Sequence, residues 1–326
     1  VSVPVVPSVL DSIIAAARKR VEVARERRSL ADLERAIAVG RGTGSAIQAE
    51  PSGRVRRTGP TVPSPAEGRA GSPTESRRSP GEGGRPANAG RAGAARTFMA
   101  SLMQPGIRVI AECKRRSPSK GVLRPHYDAV AIAGQYATAG AAAISILTEP
   151  GFFDGALDHL VAVHAAHPDV PLLRKDFTVD EYQIAEAVLA GASAVLLIVA
   201  ALDQPALVRL LAFASQVGID VLTEVHDENE AHRAMDAGAT IVGVNNRNLK
   251  TLEVSIDTAY RVAPIIAPAR VRVAESGLRT GADLASLYAT GYGAFLIGER
   301  FMTEANPGEA LASVIGDARA ALEAQA

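Results

Sequence analysis

A carboxylate and an ammonium, Glu112 and Lys114, close the short apolar run that begins at Val109, and a Ser-Pro-Ser-Lys-Gly stretch follows at 117–121. Residues two apart on an extended chain point to one face, so these two charges stand side by side. Burying both at a strand end is costly unless they pair or do chemistry. Comparable groups end other apolar runs: Lys175-Asp176-Phe177, Glu224-Val225-His226, Asn245-Asn246-Arg247, Glu275-Ser276-Gly277 and Gly298-Glu299. Alternation puts Lys175 on a face with Leu173 and Phe177, Glu224 with Leu222 and His226, and Asn245 with Arg247. Taken singly, each has a mundane reading: Arg174-Lys175-Asp176 as a surface ion pair, a terminal Glu as a solvated carboxylate. Six polar groups, Glu112, Lys114, Lys175, Glu224, Asn245 and Arg247, at equivalent ends of four runs favour one shared site.

Those residue types suit acid–base work on a polar substrate. A lysine held among cations and apolar walls is expected to have a lowered pKa and to exchange a proton near neutrality. A poorly solvated carboxylate serves as a general base. Arg247 suits a planar anion such as a carboxylate. Ser276-Gly277 and Gly298-Glu299 let backbone N–H groups approach an anion, and Ser117 adds a hydroxyl, so a phosphate pocket is expected there. His159, His164 and His167 cluster on one helical stretch. A solvated outer face is expected for them rather than a metal site, because no ligand spacing is recognisable.

Eight apolar runs follow Phe98, at 109–114, 142–149, 171–177, 194–200, 220–226, 240–247, 271–277 and 294–299. Helical patterns such as 182–189, 206–214 and 284–289 separate them. Gly140, Gly191, Gly218, Gly238 and Gly291 stand where helices close. Consecutive βα units imply a parallel sheet, and eight of them close into a (β/α)8 TIM barrel with its active site at the C-terminal strand ends. An open doubly wound sheet is the competing fold, but no Gly-x-Gly-x-x-Gly turn follows the first run.

Two helices precede the barrel. Residues 8–28 read as amphipathic, capped by Ser8 with Asp11, and a second helix starts at Ser29 with Asp32. The expected plan is a helical extension over 1–39 packing on the barrel, an insertion over 40–95, and the barrel domain over 96–326. Within 41–97 ten Arg face four Glu, with no Lys or Asp. So little apolar area cannot offset ordering entropy, and a disordered, solvated insertion is expected. A basic arm for an acidic partner is the sharper alternative.

Bulk composition narrows the classes. Formal net charge is zero and aromatics are 4%, which disfavours nucleic acid as a partner. The single Cys113 excludes an intramolecular disulfide and a cysteine-rich zinc site. No apolar run reaches the length of a membrane span, and no secretory signal is recognisable, so a cytoplasmic location and no membrane partner are expected. A monomer is the expectation for assembly.

Seven ordered stretches resemble the indole-3-glycerol phosphate synthase family: Glu112–Gly121, Ile146–Glu149 with Phe153, Leu173–Phe177, Leu222–His226, Gly243–Leu249, Ala274–Gly277 and Leu296–Glu299. The resemblance implies a cytoplasmic lyase of tryptophan biosynthesis. Its reaction closes the indole ring of 1-(2-carboxyphenylamino)-1-deoxy-D-ribulose 5-phosphate with loss of carbon dioxide and water, without a cofactor. It implies Lys175 as general acid and Glu224 as general base. Lys114 would face the substrate carboxylate and could act in dehydration, with Glu112 beside it and Asn245 near. Asn245, Arg247 and Phe177 would contact substrate, and Ser117, Ser276, Gly277, Gly298 and Glu299 would hold phosphate. Which lysine serves which step stays open. The departure is the insertion, which the family lacks at this length. The rivals are a phosphoribosylanthranilate isomerase-like barrel and a non-catalytic scaffold with a basic arm.

Overall fold

The computed structural model describes residues 8–43, 97–249 and 251–324. The expectation for 40–95 therefore lies, beyond residue 43, outside the described residues.

Helix α1 (Val9–Arg27) opens on the expected capping box: Asp11 N–H donates to Ser8 Oγ at 3.1 Å, and Ser8 N–H donates to Asp11 Oδ2 at 3.0 Å. Ile13, Ala17 and Val21, four apart, form its buried stripe. Helix α2 (Leu30–Thr43) repeats the device with Ser29 and Asp32, and buries Leu33 and Ile37. It runs past the boundary expected at residue 39. Both helices pack against the barrel helix Glu181–Leu189.

Eight parallel strands follow: β1 (Arg108–Cys113), β2 (Ala143–Leu147), β3 (Leu172–Lys175), β4 (Ala194–Ile198), β5 (Asp220–Val225), β6 (Ile241–Asn245), β7 (Val271–Glu275) and β8 (Ala294–Ile297). Each pairs with the next, and β8 returns to β1 with Arg108 opposite Ala294 and Ala111 opposite Ile297. The sheet is a closed barrel. Every strand stops short of the apolar run's expected end. Phe177, Arg247, Ser276, Gly277, Gly298 and Glu299 thus sit just past the last ladder hydrogen bonds, where the chain is free to turn over the mouth. Gly140, Gly191, Gly218, Gly238 and Gly291 all have positive φ, as a helix-closing residue requires.

Strand alternation builds two cores. Outward residues such as Val109, Ala111, Cys113, Val195, Leu197, Val242 and Val244 meet the surrounding helices. Inward residues Ile110, Leu173, Leu196, Leu222, Ile241, Val273 and Leu296 fill the barrel. Short helix α3 (Phe98–Leu102) plugs the floor. Phe98 and Leu102 join the inner cluster, and Met99 N–H donates to Asp220 Oδ2 at 2.8 Å, at the first residue of β5. With its floor filled by apolar side chains, the barrel can hold a site only at the opposite end.

Candidate active site

One step of two residues upward from that apolar layer changes the chemistry. Ile110 is followed inward by Glu112, Leu173 by Lys175, Leu222 by Glu224, Gly243 by Asn245, Val273 by Glu275, and Leu296 by Gly298. Pleating aims all of them into the mouth. They line one cavity of about 550 Å³, together with Lys114, Ser117, Phe177, Arg247, Ser276, Gly277 and Glu299. All twelve residues singled out in the sequence border this cavity.

Lys175 is the hub. Its Nζ lies 3.3 Å from Glu224 Oε2, 3.3 Å from Glu275 Oε2 and 3.8 Å from Glu112 Oε2. Lys114 Nζ donates to Glu112 Oε1 at 2.6 Å. Glu224 is held from its other side as well. Asn245 Nδ2 donates to Oε1 at 3.2 Å, and His226 Nε2 lies 3.2 Å from the same oxygen. Glu112, Glu224 and Glu275 are all buried.

This corrects the expectation of a lowered lysine pKa. Burial alone would favour the neutral amine, but the carboxylates of Glu275, Glu224 and Glu112 overcome it and push the Lys175 pKa up. The neighbours anticipated as cations are in fact anions, so Lys175 stays charged. For Glu224 burial opposes ionisation, yet Lys175, His226 and Asn245 hold it below the usual carboxylate range. Glu112 is likewise lowered against its burial by Lys114 and Lys175. Glu275 goes the other way. Burial and the Glu224 charge raise its pKa more than Lys175 lowers it. Glu112 also has Lys114 and Glu224 also has His226, whereas among the described residues Glu275 shares only Lys175, and it is the one left favouring a proton.

Two residues at this centre were absent from the sequence-based site. Glu275 occupies the inward parity of β7, so the alternation that found Glu224 would have found it. His226 shares the Glu224 face but falls after the strand, where alternation alone gives no partner.

The corner expected to take phosphate has unusual backbone. Ser276 and Gly277 carry φ of 63° and 77°, and Asn246 Nδ2 donates to the Ser276 carbonyl at 3.1 Å. A non-glycine residue held left-handed at a cavity is a place where strain and function coincide. Gly298 is the N-cap of the short helix Glu299–Met302. Ser117 sits on a two-residue antiparallel ribbon, paired with Gly121, and its Oγ accepts from Lys120 N–H at 3.2 Å. Phe177 tilts against Phe153 with ring centroids 6.3 Å apart. Arg247 is already engaged: Nη2 lies 3.3 Å from Glu299 Oε2, and Nη1 donates to the Leu252 carbonyl at 3.2 Å.

Arg174 and Asp176, which flank Lys175, face outward and are buried. They are not a surface ion pair. Arg174 Nη1 lies 2.7 Å from Glu186, and Asp176 Oδ1 accepts from Arg20 of α1 at 2.9 Å. Arg20 also reaches Glu149 at 3.3 Å, which ties α1 to the ends of β2 and β3. Val9, Leu10 and Ile13 of the same helix border the cavity.

The histidine cluster is half-buried, not a solvated face. His159 stacks edge-on against Tyr127, and a Cβ on Gly134 would touch the His167 ring. Among the described residues no group of His, Cys, Asp or Glu is placed to hold a metal ion, and no helix is long and apolar enough to cross a membrane.

A closed parallel barrel with an acid–base cluster at its C-terminal mouth defines a (β/α)8-barrel enzyme. Solved structures agree on the fold: a 3-hexulose-6-phosphate synthase matches with TM-score 0.50 at 18% identity over 65% of this chain and 99% of that one. A mandelate oxidase matches with TM-score 0.51 at 19% identity over 67% of this chain and 73% of that one. Sequence relatives are more specific. The family description "Indole-3-glycerol phosphate synthase" matches residues 75–314. Proteins of that name are 50% identical over 205 residues in Laribacter hongkongensis, covering 63% of this chain and 78% of that protein. In Mycolicibacterium gilvum the identity is 49% over 229 residues, covering 70% and 84%. The chain belongs to the indole-3-glycerol phosphate synthase family.

Proposed function

We propose that this chain closes the indole ring of 1-(2-carboxyphenylamino)-1-deoxy-D-ribulose 5-phosphate, releasing carbon dioxide and water, in tryptophan biosynthesis. Family membership supports the reaction, and the observation that carries the residue assignment is Lys175 held among three carboxylates inside the shared cavity.

Each step asks for one of these groups. Attack of the aromatic carbon on the ketose carbonyl pushes electrons onto its oxygen. An alkoxide developing there is a stronger base than the surrounding carboxylates, so the Lys175 proton moves to it. Loss of carbon dioxide from the attacking aromatic carbon returns the electrons of that C–C bond to the ring and restores its aromaticity. The hydroxyl then leaves as water, taking a proton from an ammonium, while an ionised carboxylate removes a proton from the substrate. Glu224, kept ionised by Lys175, His226 and Asn245, suits that last role. Lys114 faces the substrate carboxylate and serves as the second ammonium, held by Glu112. Asn245 positions Glu224. Arg247 and Phe177 border the aryl end. Ser117, Ser276, Gly277, Gly298 and Glu299 take the phosphate, the last two through backbone N–H groups, because the Glu299 carboxylate is paired with Arg247.

The chain acts as a cytoplasmic monomer on this small phosphorylated molecule; zero net charge supports the absence of a nucleic-acid or membrane partner. Catalysis does not require the stretch from 50 to 90.

Purified protein given the phosphorylated substrate should produce an indole signal by fluorescence. Isomerisation of phosphoribosylanthranilate without ring closure would favour the rival barrel enzyme instead. Neither activity, with retained binding of acidic protein, would favour the scaffold. Deleting 50–90 should leave kcat within about twofold, since loop closure depends only logarithmically on length.

A further inference from the structure

The acid–base cluster does not stop at Glu224. His226 lies behind it, out of the cavity lining, with its side chain 8% exposed. Nε2 is 3.2 Å from Glu224 Oε1, and Nδ1 is 3.0 Å from Glu230 Oε2. Glu230 is fixed in turn. The same Oε2 accepts from the His226 backbone N–H at 2.8 Å, and Glu230's own N–H donates to Asp227 Oδ1 at 2.8 Å, the N-cap of helix Glu228–Asp236. An Asp–x–x–Glu pair at a helix start ordinarily reaches back to the cap residue. Here the Glu230 carboxylate reaches one residue further and grips the ring.

We propose that His226 is a positioning residue for ring closure: clamped as an imidazolium between Glu230 and Glu224, it holds the Glu224 carboxylate ionised and aimed at the substrate.

This rests on Glu224 being the general base. Three further arguments support it. A neutral imidazole donating from Nδ1 to Glu230 would turn a lone pair toward the Glu224 carboxylate 3.2 Å away; the imidazolium instead sets a positive charge there, an electrostatic contact, since Nε2 makes no aligned hydrogen bond. Burial disfavours the charge, but Glu224 and Glu230 outweigh it and lift the pKa to about 10. The surroundings are otherwise consistent. Lys175 and Asn245 approach Glu224 from β3 and β6, and Glu275 sits beyond Lys175 on β7. Arg233, on the same helix as Glu230, spends its guanidinium on the Val199 and Leu202 carbonyls and on Gln204. His226 keeps its proton throughout; it makes Glu224 a carboxylate oriented for use rather than relaying charge.

The test uses the full chain with His226→Ala, His226→Gln and Glu230→Gln. His226→Gln retains a donor toward Glu224 without the charge. In both His226 variants kcat should fall about tenfold or more with KM within about twofold, and the pH below which kcat is lost should move upward by about one unit. Glutamine should recover part of the plateau kcat but not the pH shift. In the wild type, nitrogen-resolved NMR of the ring should show both nitrogens protonated at neutral pH, and Glu230→Gln should lower the pH at which one proton leaves. A neutral ring in the wild type overturns the proposal. So do variants whose kcat and acid limb match the wild type, or whose loss is confined to KM. Should the alanine variant not fold, the glutamine variants and the NMR titration decide. Absence of ring closure in the wild type would instead strike at the assigned function, which keeps the two failures apart.

Discussion

Gly298, just past β8, and Glu112, on β1, share one small volume: a Cβ built on Gly298 would stand 2.5 Å from Glu112 Oε1. Barrel closure brings these strands together, and the absent side chain is what lets the carboxylate lie between Lys114 and Lys175. The Gly298 φ of −132° is outside the left-handed region, but the added Cβ would also stand 2.8 Å from Glu112 Cβ, so β1 must shift as well as the carboxylate. Gly298→Ala should fold, displace Glu112 and reduce kcat at least tenfold or so, in line with losing a positioned group. Steady-state kinetics with a melting curve checks this; full activity would show that Glu112 can move without consequence.

Gly243 stands in the same relation to Glu275, whose Oε1 occupies the place a Cβ would take. Gly243→Ala should therefore impair turnover through Glu275. Pairing it with Glu275→Gln should give less than the sum of the two losses, because both changes act on one group.

Lys175 reaches all three buried carboxylates at once, with Lys114 as a second partner of Glu112 and His226 beside Glu224. Lys175→Ala should abolish turnover. It should also cost about 3 kcal/mol of stability at neutral pH, since breaking a buried pair leaves charge uncompensated. The orphaned carboxylates would then bind protons more tightly folded than unfolded. Stability of the variant, relative to wild type, should recover as pH is lowered. Denaturant titrations at two pH values measure it.

Glu275 in the native chain carries the same sign. Its folded pKa is raised above the ordinary 4.5, so the folded state holds a proton that the unfolded chain has lost. Its contribution to stability is full below that ordinary value and declines as pH rises through the raised one. Glu275→Gln removes the decline. The variant should gain on wild type as pH rises from about 4.5 upward, read from Tm against pH.

Arg20 tethers α1 through Asp176 and Glu149. Both acceptors keep other partners: Arg174, Thr148 and the Phe177 N–H for Asp176, and three backbone N–H groups for Glu149. Arg20→Met should thus cost only about 1–2 kcal/mol, as for a lost charged hydrogen bond. Because Val9, Leu10 and Ile13 border the cavity, kcat/KM should fall as α1 loosens. Unchanged kcat/KM with lowered Tm would confine α1 to a structural role.

Alternation and spacing along the chain determined the barrel and the capped leading helices, and with the family resemblance named twelve of the residues that border the cavity. These are local properties: a period of two or of 3.6 is written in consecutive residues. The signs of the interactions were not local. That Lys175 meets carboxylates rather than cations depends on which strand lies across the barrel from β3, and this reversed the expected direction of its pKa. Arg174 and Asp176 read as surface residues until α1 and helix Glu181–Leu189 covered them. The Asp-x-x-Glu start of helix Glu228–Asp236 is local, but the grip of the Glu230 carboxylate on the His226 ring is not written in that pattern. Electrostatic environment is set by neighbours distant along the chain, and only closure of the barrel supplies them.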